Sequence, residues 1–64
     1  MYYYVIRKEN PVSYWQGERD NRNNGFTFYA SDAKRFLTFK EAEQEQNEHK
    51  LTECQIVIHF VEEA

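Results

Sequence analysis

The chain has 64 residues, 8 Lys plus Arg against 11 Asp plus Glu, and a net charge of −3. That length is one domain, which buries only about 60% of the surface its unfolded form exposes. The lone Cys54 excludes an internal disulfide, no run reaches the roughly 18 apolar residues of a membrane span, and 17% aromatic content excludes a disordered composition.

Tyr2 to Lys8, rich in aromatic and β-branched residues, predicts a first strand, ended by the turn-forming pair Asn10-Pro11. Val12 to Gln16 predicts a second. A polar loop, Gly17 to Gly25, closes on Asn23-Asn24-Gly25, which tolerate the positive φ of a hairpin turn. Phe26 to Ala30 then returns as a third strand, antiparallel to the second. Ser31 to Leu37 fits either a short extended segment or a single helical turn.

Thr38-Phe39-Lys40-Glu41 matches a capping box, with Leu37 and Ala42 placed for a hydrophobic staple. A helix follows from Phe39 to about Lys50, its thin apolar stripe made by Phe39 and Ala42. From Glu53 to Val61, Cys54, Ile56, Ile58 and Phe60 alternate with Gln55, Val57, His59 and Val61. Both sets are substantially apolar, which predicts a central strand. The order β-β-β-α-β predicts an α+β fold, a small antiparallel or mixed sheet with one helix packed on a face.

One helix cannot cover both faces of such a sheet. The free face is expected to carry some of Tyr2, Tyr4, Tyr14, Trp15, Tyr29 and Val57, and an exposed apolar patch of that kind marks an interaction surface. A second copy stacked on it, a homodimer, would supply the missing core. The alternative is that loop 17–25 folds back over the face. Charge is divided unevenly: residues 1–37 carry six basic and four acidic side chains, residues 38–64 two and seven. Glu41, Glu45 and Glu48 on the helix would steer a basic partner.

His49, Cys54 and His59 are evenly spaced, yet Cys54 and His59 leave opposite faces of one strand and His49 ends the helix, so no metal site is expected. Ser13 and Ser31 lack flanking glycines of a nucleophile elbow, and Gly17 and Gly25 are too isolated for a phosphate loop. No cofactor and no enzymatic activity are expected. Arg7, Arg19, Arg22 and Arg35 lie in the same half of the chain as Tyr14 and Trp15, the ingredients of phosphate contact and base stacking. Nucleic-acid binding is therefore possible but not favoured at negative net charge.

The run Ala33-Lys34-Arg35-Phe36-Leu37-Thr38-Phe39-Lys40-Glu41-Ala42 resembles an A-x-R-F-x-T-x-x-E-A pattern of small phage and prophage proteins of Gram-positive bacteria. In those proteins it is preceded by strands like Tyr2-Tyr3-Tyr4-Val5-Ile6-Arg7 and Tyr14-Trp15, and followed by a polar helix and a strand. Phe39 departs from the pattern, which more usually has Lys, Ser or Arg there. The resemblance implies a setting in the bacterial cytoplasm and an accessory protein that binds and blocks a host protein, with nucleases, polymerases and antiviral defence complexes such as CRISPR effectors as targets. It carries over no site residues. Tyr2, Tyr4, Tyr14 and Trp15 are the expected anchors, because Tyr and Trp dominate interface hot spots. The alternatives are a nucleotide- or single-strand-binding protein and a purely self-associating structural subunit.

Overall fold

The computed structural model describes residues 1–17 and 22–61. Its sheet is built on β1 (Tyr2–Lys8), flanked on one side by β2 (Ser13–Trp15) and β3 (Phe26–Thr27) and on the other by β4 (Gln55–Phe60). All pairings are antiparallel, and α1 (Phe39–Glu48) packs on one face. The α+β fold is as expected, with the sheet wholly antiparallel.

The last strand is not central. β4 lies at the edge of the order β3-β2-β1-β4, and the interior place belongs to β1. The reason is that β1 is paired along both sides. β2 reaches only Arg7 and Lys8, while Phe36 takes Tyr4 through reciprocal backbone bonds of 2.8 and 2.9 Å. The two apolar faces of β4 come instead from Ile56 packing on the core and Val57 lying opposite Val5 in the ladder.

β3 is shorter than expected. After Thr27 its hydroxyl accepts the Tyr29 N–H at 3.2 Å, and the chain swings out with Phe28 and Tyr29 exposed. Residues 30–37 combine both sequence alternatives: a 3-10 turn, Ala30–Asp32, then an extended stretch anchored through Lys34 N–H to Trp15 O and through Phe36. The hairpin does use positive φ at Asn24 and Gly25, within a 3-10 turn Arg22–Gly25.

Side-chain alternation and register divide the sheet. Tyr2, Tyr4, Ile6, Trp15, Phe26, Ile56, Ile58 and Phe60 lie on the α1 side; Tyr3, Val5, Arg7, Tyr14, Val57 and His59 lie on the other. The core is Ile6, Trp15, Phe26, Phe36 and Ala42, with Tyr4, Leu51, Cys54 and Ile56 packed against it.

α1 starts where the cap places it. Thr38 Oγ1 accepts the Glu41 N–H at 3.2 Å, but Glu41 Oε2 reaches past Thr38 to accept the Leu37 N–H at 3.3 Å. No staple closes over it, because Leu37 is 78% exposed. Phe39, expected in the core, is half-exposed, and Ala42 alone in α1 is buried. The helix stops at Glu48, short of Lys50. Leu51 N–H bonds to Gln46 O and Lys50 N–H to Asn47 O, with Lys50 at φ 55, the paired bonds of a Schellman ending. Gln46 Nε2 then donates to Leu51 O and Cys54 O, fixing the turn into β4.

Candidate functional site

The face away from α1 is not the bare aromatic surface the sequence predicts. Of the residues expected there, Tyr2, Tyr4 and Trp15 lie on the α1 side, Tyr29 lies exposed beyond the end of β3, and only Tyr14 and Val57 are on the far side. Val5 is fully buried on that far side, while Tyr3, Tyr14, Val57 and His59 are half-buried. His59 meets both Tyr3 and Tyr14 ring to ring, and the Arg35 guanidinium sits 4.6 Å from the Tyr3 ring centre. Whether loop 17–25 covers this face turns on residues 18–21, outside the described residues.

The exposed apolar surface lies instead on the α1 side, at the open end of the sheet. A ten-residue helix is about 15 Å long and covers Trp15, Ile6 and Ile56 but not the start of β1 or the end of β4. There Tyr2, Phe39, Ile58 and Phe60 stand 50, 49, 43 and 74% exposed around half-buried Tyr4. Tyr2 meets Tyr4 edge-on at 5.8 Å and Phe60 at 6.1 Å, and Tyr4 meets Phe39 at 6.0 Å. Phe39 and Phe60, which no sequence argument chose as anchors, complete the patch. Alternation set Phe60 with Ile56 and Ile58 and apart from Val57; what was missing was the β1–β4 pairing that puts Phe60 on the face of Tyr2 and makes them neighbours.

Trp15 is no surface anchor. It is 4% exposed, packs on Phe26 and His49, and donates its indole N–H to Glu45 Oε2 at 2.9 Å. The same oxygen accepts from Lys34 Nζ at 2.8 Å, and His49 Nε2 lies 3.7 Å away. Burial alone would raise the Glu45 pKa, but the Lys34 and Trp15 hydrogen bonds and the nearby Lys34 and His49 charges outweigh it and hold the carboxyl below its ordinary value. Glu45 thus holds the helix to the sheet instead of steering a partner. Glu41 and Glu48 are exposed, and Glu41 accepts the Leu37 N–H.

Glu45, Glu48 and His49 bring possible ligand atoms within 4.8 Å of one another, with the Lys34 ammonium already on the Glu45 oxygen. Burial pushes the Cys54 thiol up, only partly countered by Lys8, so it is a poor nucleophile. Of the arginines, Arg7 and Arg35 share the far face with Tyr3 and Tyr14. Arg22 opens the 3-10 turn Arg22–Gly25, and Arg19 lies outside the described residues. Arg7 pairs with Glu9 at 3.4 Å, its Nε is buried with no hydrogen-bond partner among the described residues, and beside it opens a cleft of about 440 Å³ lined also by Lys8, Asn10, Glu53 and Gln55. No described helix is long and apolar enough to cross a membrane. No protein-family model, curated protein or solved structure matches the chain.

Proposed function

We propose that this chain is a non-enzymatic accessory protein of phage type, acting in the bacterial cytoplasm, that binds and inhibits or modulates a host protein. Antiviral defence factors, CRISPR effectors among them, are the proposed targets. The observation that carries the reading is the patch of Tyr2, Tyr4, Phe39, Ile58 and Phe60, four of whose five side chains are more than two-fifths exposed. Contiguous apolar surface rimmed by charge is how a binding protein meets its partner. Glu41, exposed in the first turn of α1 that also carries Phe39, suits a target surface bearing Lys or Arg. A second copy of the chain belongs to the same reading, as a further partner.

The test is recovery of a tagged chain from host cells, wild type beside a Tyr2→Ala, Phe39→Ser variant that changes only half-exposed positions of the patch. One host protein in stoichiometric amount with the wild type, lost with the variant, is the expected result. Its absence from the wild-type sample, or its persistence with the variant, overturns the reading.

Arg7 and Arg35 beside Tyr3, Tyr14 and His59 favour one other reading, a nucleotide- or single-strand-binding face. Trp15 takes no part in it, being buried on the opposite side. Anisotropy of labelled oligonucleotides and cyclic nucleotides at low salt tests it. Binding weakened at least severalfold by Arg35→Ala supports it, and no binding removes it.

A further inference from the structure

Every antiparallel strand presents its backbone groups alternately to its two neighbours. Val61 N–H bonds to Met1 O, and Met1 and Val61 continue the register that places Tyr2 opposite Phe60. The hydrogen-bonded pairs of the β1–β4 ladder are therefore the odd-numbered ones: Tyr3 with His59, Val5 with Val57 and Arg7 with Gln55. The Tyr4–Phe36 bonds on the other side of β1 agree with this assignment. It follows that the N–H and C=O groups of Ile56, Ile58 and Phe60 point away from β1, along an edge that no other described strand pairs.

Natural edge strands are blunted by charge, proline, a bulge or a cover. Among Gln55, Ile56, Val57, Ile58, His59 and Phe60 there is no Lys, Arg, Asp, Glu, Pro or Gly. Its outward polar groups belong to Ile56, Ile58 and Phe60, whose apolar side chains share the α1 face, arranged evenly about Ile58.

We propose that the free edge of β4 pairs with β4 of a second copy of this chain, antiparallel, about a two-fold axis at Ile58. Ile58 then lies opposite the partner's Ile58, and Ile56 opposite the partner's Phe60. All three outward residues on each strand are satisfied, and their side chains meet on one face as apolar cross-strand pairs. Shifting the axis to residue 57 or 59 leaves one outward residue of the strand without its partner. The second copy is the occupant this edge fits because the motif is its own complement and carries no like charge to repel. An interface of standard size takes about 800 Å² from each partner, close to one sixth of the 5066 Å² surface. The strand edge with exposed Ile58 and Phe60 lies at its centre. The axis is perpendicular to the sheet, so the two copies of α1 lie on one side of an eight-stranded sheet. This differs from stacking one sheet face on another, and it stands whether or not a host protein binds.

The register makes a distinct prediction. A directly opposed, hydrogen-bonded pair has Cα atoms about 5.5 Å apart, inside the roughly 4.4–6.8 Å range of a disulfide. In a Cys54→Ala background, Ile58→Cys is expected to convert to a covalent dimer under mild oxidation. Gln55→Cys, about 20 Å from its own copy in this register, is expected to cross-link at least about tenfold more slowly. Sedimentation of the unmodified full chain is expected to give a dimer. Ile58→Pro, which removes an N–H that β1 does not use, is expected to sediment as a folded monomer by circular dichroism. A monomeric wild type at high micromolar concentration, or a dimer that cross-links at Gln55→Cys as readily as at Ile58→Cys, overturns the proposal.

Discussion

Gly25 shows how one missing carbon sets a core. Its φ is 85°, and an added Cβ would stand 2.7 Å from Trp15 Cζ3 and 2.9 Å from the Gly17 carbonyl oxygen. Gly25→Ala therefore meets backbone strain and a buried ring together, and is expected to cost about 2–3 kcal/mol by urea unfolding. Gly17→Ala, at φ 102 but with its nearest neighbour 3.8 Å away, is expected to cost about 1 kcal/mol from strain alone. Equal costs would mean the indole yields freely. The same indole ties Glu45 into the core, and that bond has a pH signature. A carboxyl held below its ordinary value of 4.5 contributes stability that is complete well above that value and is lost as pH falls through the lowered one. Unfolding free energy measured from neutral pH downward is thus expected to fall more steeply below pH 4.5 in the wild type than in Glu45→Gln. Coincident slopes would show that Glu45 contributes nothing.

At the scale of elements, α1 is capped by a rule at one end and by an exception at the other. Thr38 at the start follows the preference for a side-chain oxygen that takes an orphan N–H. At the end, a Schellman turn places Lys50 at φ 55 where glycine is usual. Lys50→Gly relieves the crowding of a Cβ in the left-handed region, and the gain is expected to be about 0.5–1 kcal/mol in chemical unfolding. A loss would mean the lysine side chain holds the turn. This exception is also why the helix end was hard to read. The strand β1, the cap and the positive φ at Asn24 and Gly25 are legible because local chemistry alone requires them. The end of α1 depends on Gln46 bonding two carbonyls beyond the helix, and the edge position of β4 depends on β2 pairing with β1 instead of with β4. Neither leaves a local trace. The patch was half legible for the same reason: Tyr2 and Tyr4 are aromatic in a strand, whereas Phe60 joins them only through long-range register.

At the scale of the whole molecule, small size and the free edge bear on one measurable quantity. Among the described residues seven hydrophobic side chains are buried, and only Ile6 and Val5 are large and fully enclosed, so the isolated copy has a thin margin of stability. If pairing through β4 adds to that margin, folding is coupled to association, and the thermal midpoint must depend on protein concentration. A tenfold change in concentration alters the free energy of a dimer by about 1.4 kcal/mol, or about 0.7 kcal/mol per chain. In a domain of this length that shifts the midpoint by about 3–5 °C. The wild type is expected to melt higher at each tenfold increase, and Ile58→Pro to melt at one temperature throughout. Leu37→Asp provides the control. Leu37 is 78% exposed, lies outside the strand edge and should leave the concentration dependence intact. A wild-type midpoint that does not move with concentration would mean that one copy is stable alone, leaving its edge free for a different strand.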